Sequence, residues 1–185
     1  MPSHSRCRRR SIRLPGYDYS SPGAYSVTIV TRGRGHLFGA VADGEMRLNA
    51  FGEIVAETWL WLARQYPYVR LDEWVVMPNH FHGILWIVDI SNDAGRGASR
   101  RAPTGGSQPT PTDENPIKIK PLGQLVGAFK TVSAKRINLL RGTPGVSVWQ
   151  RDYYERIVRD DRALDAIRRY IRANPLRWDE DRENK

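Results

Sequence analysis

Histidine is scarce in this chain of 185 residues: there are four, and two of them, His80 and His82, stand one residue apart. On a β-strand, residues i and i+2 point to the same face, so the two imidazoles would be neighbours. That spacing suits the grip of one divalent metal ion. Phe81, between them, points the other way and can bury. A bare His-x-His is more often two ordinary histidines near a turn. Here the pair leads into FHGILWIVDI, a stretch otherwise almost wholly apolar, where burying two imidazoles requires a compensating partner. Two histidines rarely complete a metal site. The best further ligand stands at the end of the last predicted helix, where Tyr170 and Asn174 are four residues apart and share one face. Tyr170 falls on the flank of an apolar stripe, a boundary position that also suits a packing tyrosine with its hydroxyl in water. Asn174 equally suits a helix C-terminus, where Asn tolerates left-handed geometry.

The elements that must position these groups can be read in outline. AYSVTIVTR (24–32), HLFGAV (36–41) and EMRLNA (45–50) have strand composition, and the turn signal Asp43-Gly44 separates the last two. Phe51, Ile54, Val55, Trp59 and Leu62 recur at helical spacing until Tyr66-Pro67 stops the helix. LDEWVVM (71–77) and FHGILWIVDI (81–90), joined through Pro78-Asn79, predict an antiparallel pair. The second of them is apolar enough to be covered on both faces and central. Residues 91–116 are rich in Gly, Pro, Ser and Thr and predict a flexible insertion. The spacing then predicts a helix from about 121 to 141 with Leu122, Val126, Phe129, Val132, Ile137 and Leu140 inward. YYERIVR (153–159) predicts a strand. A last helix runs from 161 to 173 with Leu164, Ile167 and Ile171 inward, and Asn174-Pro175 ends it. This order gives an α+β layout with helices over an antiparallel sheet. One domain spans 23–178 between a basic arm at 1–22 and a charged tail at 179–185.

Lys and Arg number 29 against 20 Asp and Glu, a net charge of +9. Such an excess points to a polyanionic partner. No apolar run approaches the ~20 residues of a membrane-spanning helix, and the basic N-terminal stretch lacks the apolar centre of a secretory signal. The one cysteine, Cys7, excludes an intrachain disulfide and a multi-cysteine zinc site. These features fit a cytoplasmic protein with no membrane association. Arg8, Arg9, Arg10, Lys130, Lys135 and Arg136 are candidates for phosphate contacts, and Trp149, Gln150 and Arg151 for base contacts. Trp149 suits a core position equally well.

VVMPNHFHGILWI resembles the His-hydrophobic-His segment of the HUH nucleases, and within them the single-tyrosine transposases of insertion sequences. IRLPGYDYSSPGAYSVTIVT, LFGAV with DGEMRLN, VWQRDYYERIVR and IRRYIRANPLRW resemble the REP-associated tyrosine transposase family. The likeness runs from about Arg13 to Trp178, excepting 91–116. PNHFH, WQR and YIxxNP in that order are far more specific together than any one alone. The resemblance implies a ferredoxin-like antiparallel sheet with helices packed on one side, of HUH-nuclease type. It implies that His80 and His82 are the metal-ligand pair, that Asn174 completes the site, and that Tyr170 is the nucleophile. It implies Mg²⁺ or Mn²⁺ as the metal and single-stranded DNA as the partner, in hairpin or palindromic repeats. The relatives include both monomers and homodimers.

The activity so implied is that of a metal-dependent endonuclease and strand transferase. The tyrosine oxygen attacks phosphorus, a covalent 5′-phosphotyrosine forms, and a 3′-hydroxyl is released. Because the ester linkage is kept, a second 3′-hydroxyl can reverse the step without ATP. A cytoplasmic, nucleoid-associated location goes with this partner. The alternative is a catalytically silent hairpin DNA- or RNA-binding protein domesticated from a transposase. Tyr153 and Tyr154 are rival nucleophiles, but adjacent strand residues face opposite sides, so at most one of them faces the site.

Overall fold

The computed structural model describes residues 13–90, 117–181 and 183. Arg8, Arg9, Arg10 and the insertion expected at 91–116 lie outside these residues.

A four-stranded sheet forms the centre, in the order β4-β5-β1-β6, with every neighbouring pair antiparallel. Its strands are β1 (Gly23–Val30), β4 (Val69–Val76), β5 (His80–Ile87) and β6 (Tyr154–Val158). The β4–β5 connection is short, as expected from Pro78-Asn79, and β5 is an inner strand buried almost throughout. A separate hairpin joins β2 (Gly39–Ala42) to β3 (Glu45–Leu48). Its turn is the expected Asp43-Gly44, with φ of 56° and 75°, the doubly left-handed geometry of a tight hairpin. The strand expected at 36–41 begins only at Gly39. Leu37 and Phe38 both donate their N–H groups to the Pro78 carbonyl instead of to a ladder, and Phe38 buries in the core.

Helices α1 (Ala50–Gln65) and α2 (Leu122–Leu140) cover one face of the sheet. Asn49 caps α1 by accepting from the N–H groups of Phe51 and Gly52. Trp59, Phe81, Phe129 and Trp149 interlock there, with successive ring centroids 4.7–5.8 Å apart. Gly83 is required at this point: a Cβ would stand 2.7 Å from both Trp59 and Phe81. Of the stripe expected on α2, Leu122, Val126, Phe129 and Ile137 are buried, Val132 is half-buried and Leu140 is exposed.

The expectation of helices on one side holds for α1 and α2 and needs correction for α3 (Asp161–Ala173), which lies against the opposite face. Leu164, Ile167 and Ile171 form a second small core there with Ala24 and Ile84. A β-bulge is the physical reason α3 seats so firmly. Leu71 pairs with Leu85 and Trp74 with Gly83, so Asp72 and Glu73 together oppose Ile84. Both carboxylates meet α3. Arg168 grips Asp72 with two bonds of 2.9 and 2.6 Å, and Arg172 pairs with Glu73. Trp86 also donates to Asp72.

Candidate active site

Strand β5 brings His80 and His82 onto the face that α3 covers, with ring centroids 4.6 Å apart. His80 is fully buried and His82 is 6% exposed. The tautomer of His80 follows from its neighbours. Asn79 donates its amide hydrogens to the carbonyls of Arg34 and Glu183, which turns its Oδ1 toward His80 Nδ1 at 2.8 Å. That oxygen can only accept, so Nδ1 carries the proton and the Nε2 lone pair points into the site. His82 Nδ1 lies 2.7 Å from Thr28 Oγ1, its cross-strand partner on β1. When that hydroxyl accepts, the Nε2 lone pair of His82 also faces the site. Burial holds the pKa of His80 down at about 4, against an opposing pull from Asp181. Burial, and then the neighbouring His80, push His82 well below the ordinary histidine value. Both imidazoles are therefore neutral at neutral pH, the form that binds metal.

Helix α3 delivers Tyr170 and Asn174 from above. The phenol oxygen lies 3.4 Å from His82 Nε2, and the ring stands edge-on to the imidazole at 5.2 Å. Asn174 is 2% exposed. It is not left-handed: its φ of −60° and ψ of −43° continue the helical path into a 3₁₀ segment, Pro175–Glu180. That segment turns the chain so that Asp181 returns to the site. Asn174 Nδ2 donates to Asp181 Oδ2 at 3.1 Å, and the same oxygen lies 3.8 Å from His80 Nε2. Ligand atoms of His80, His82 and Asp181 all lie within 4.8 Å of one another.

The donor set fits a divalent cation. His80 Nε2 and Asn174 Oδ1 are both buried without a hydrogen-bond partner. Both are acceptors, so neither can satisfy the other, and leaving them bare is costly. A divalent cation satisfies both lone pairs and the adjoining carboxylate together. Nitrogen and oxygen donors of this mixture accept Mn²⁺, Mg²⁺ or another first-row ion.

Beside the cluster a cleft of about 730 Å³ opens to solvent, lined by Thr28, Arg34, His82, Tyr154, Tyr170 and Asn174 among others. Tyr170 is 49% exposed, so its hydroxyl is reachable. Of the two rival tyrosines, Tyr154 shares the site's face as the partner of Thr28. Tyr153 faces the other way, where Arg13 donates to its hydroxyl at 3.0 Å.

The expected DNA-contacting residues are placed differently. Trp149 is a core residue, 4% exposed, and its indole N–H donates to Ser133 Oγ at 2.9 Å, which leaves no face for a base. The Lys130 ammonium is taken up by the carbonyls of Gln150 and Arg151 at 2.7 and 2.8 Å. Arg136 pairs with Glu57. Lys130, Lys135 and Arg136 all belong to α2, across the sheet from the histidines. Gln150 and Arg151 do not line the cleft. Sequence reasoning missed Asp181, Glu183 and Arg34. The acidic stretch after Pro175, WDEDRE in a basic chain, was the one signal for the two acids.

No protein-family model matches the chain. The solved structure of a REP-associated tyrosine transposase bound to a REP hairpin matches with a TM-score of 0.54 at 16% identity, over 91% of this chain and 73% of that one. In fold, then, the chain is similar to a REP-associated tyrosine transposase. An uncharacterized protein of Haemophilus influenzae is 36% identical over 179 residues, 94% of this chain and 91% of its own length. The chain belongs to the same family as that protein.

Proposed function

We propose that the chain is a single-tyrosine DNA nuclease and strand transferase that acts on hairpin-forming single-stranded DNA through a covalent 5′-phosphotyrosine. One observation carries the reading: the reachable hydroxyl of Tyr170 lies 3.4 Å from His82 Nε2, at the edge of a buried set of unsatisfied ligand atoms. The hairpin bound to the structural neighbour and the net charge of +9 support the choice of partner. No described helix is long and apolar enough to cross a membrane, which is consistent with a cytoplasmic, nucleoid-associated enzyme.

His80, His82 and Asn174 would hold a divalent ion, with Asp181 adjoining. Such an ion supplies Lewis-acid polarisation of the scissile phosphate. Thr28 and Asn79 fix the imidazole rings, as outer partners do in metal sites. Tyr170 attacks phosphorus: a phosphorus–oxygen bond forms to the phenol and the bond to the 3′-oxygen breaks. The phenol proton leaves and the 3′-oxygen gains one, so the step balances without a co-reactant. Helix α3 carries the nucleophile and a ligand on one rigid face, which sets their relative position before substrate arrives.

The test is a covalent adduct on a denaturing gel, with labelled single-stranded hairpin DNA and Mn²⁺. The expected result is an adduct lost with chelator and lost in Tyr170→Phe. Hairpin binding without any adduct would instead favour the silent binding protein. An adduct that persists in Tyr170→Phe and disappears in Tyr154→Phe would move the role of nucleophile to the neighbouring strand.

A further inference from the structure

The cleft continues past the reactive groups as a groove between β6 and α3, a pocket of about 310 Å³. Ser26 and Thr28 form its small-side-chain floor. Tyr154 and Arg156 stand on one side, Ala166 and Tyr170 on the other. The sheet register explains this placement. Tyr154 pairs with Thr28, and Thr28 with His82, so the three form one row across the sheet. At about 4.8 Å per strand, Tyr154 stands roughly 10 Å from His82. Arg156 lies two residues on, hence on the same face.

Tyr154 is 53% exposed, and its hydroxyl has no hydrogen-bond partner among the described residues. Arg156 is exposed and forms no ion pair among them. Among the described residues, the β6 edge carries no further strand in the sheet. An aromatic face and a guanidinium, side by side over a floor of Ser and Thr, form the combination that binds single-stranded nucleic acid: stacking for the base, charge for the backbone. Small residues opposite the ring leave room for a planar base.

We propose that this groove is a nucleotide subsite, in which Tyr154 stacks an unpaired base next to the phosphate presented to Tyr170, while Arg156 meets the adjoining backbone phosphate. The inference rests on the function proposed above and assigns where its substrate lies. The subsite is blind to base identity, because every base offers a π-face. It requires an unstacked base, so it selects single-stranded DNA over duplex.

The experiment measures binding of a fluorescent hairpin with single-stranded flanks by anisotropy, in chelator so that no cleavage intervenes. Each flank position is replaced in turn by an abasic nucleotide. In the wild-type protein, one position next to the cut is expected to weaken binding about tenfold when abasic, the effect of one base–aromatic stack. Tyr154→Leu, which keeps strand propensity, is expected to lose about the same on intact DNA and nothing further on that abasic DNA. Tyr154→Phe is expected to bind as the wild type does. Arg156→Gln is expected to flatten the salt dependence of binding by about one counterion. Equal binding by wild type and Tyr154→Leu, or an abasic penalty unchanged in the variant, overturns the subsite while leaving the proposed function standing. A wild-type protein that binds no hairpin overturns both.

Discussion

The Tyr170 hydroxyl lies 3.4 Å from His82 Nε2, although 88 residues separate them. The two meet because α3 is clamped to the sheet by the ion pairs of Arg168 and Arg172 at the β4 bulge, on either side of Tyr170. The same helix face then carries Asn174 down to Asp181. The phenol and the paired imidazoles are thereby held on two rigid elements, the first on a helix and the second on a strand.

Tyr170→Phe is expected to abolish the covalent adduct while leaving hairpin affinity and Mn²⁺ affinity within about twofold. The ring stays and only a half-exposed hydroxyl is lost, so stability should change by no more than about 0.5 kcal/mol. Thermal melting and calorimetric Mn²⁺ titration of the same variant check this separation of chemistry from binding.

Asp181→Asn is expected to weaken Mn²⁺ binding by about 10- to 100-fold, the usual effect of disturbing a group that supports metal ligands. His80→Ala, which removes a central nitrogen, should reduce it further. The readout is Mn²⁺ affinity by electron paramagnetic resonance, which needs no DNA. An Asp181→Asn protein with wild-type affinity would show that the returning chain segment takes no part in holding the ion.

The metal-free protein is expected to lose stability as pH falls from about 6.5 toward 4. An unfolded histidine takes up its proton near the ordinary value of 6.5, whereas folded His80 does so only near 4. The unfolded state thus binds more protons in this window, and stability falls as pH falls. His82, shifted in the same direction, adds to the effect. Excess Mn²⁺ should raise the melting temperature at pH 7.5 and lose that benefit only as pH falls toward 4, where folded His80 takes up its proton. A melting temperature that stays flat between pH 7 and 4.5 would contradict the burial of neutral imidazoles.

Asp72→Asn is expected to loosen α3. Arg168 holds the Asp72 carboxyl down at about 2, below its ordinary 3.8. The folded pKa is depressed, so the stabilisation is present above pH 4 and is lost as pH falls toward 2. Arg168 is 30% exposed, so solvent screens the pair and its contribution is modest. The variant should melt a few degrees lower at pH 7 and form adduct more slowly, since Tyr170 and Asn174 ride on that helix. Melting and single-turnover adduct formation measure the two effects.

Much of this molecule was legible because it is periodic. Period two placed His80 and His82 on one face and turned Phe81 to the other. Helical spacing placed Tyr170 over Asn174, and the Asp43-Gly44 turn could be read from its residues alone. The side of the sheet that α3 covers was not legible. It depends on a bulge that faces Asp72 and Glu73 toward Arg168 and Arg172, and pairing across 96 residues leaves no local pattern. The same limit hid Asp181, which reaches the site only because Asn174 stays helical and a 3₁₀ turn folds the chain back. It also hid the placement of Trp149 and Lys130, whose polar atoms are bound by Ser133 and by backbone carbonyls. Which side chains share a face follows from local periodicity alone. Which faces meet does not, because burial of polar and charged atoms is settled between elements and not within them.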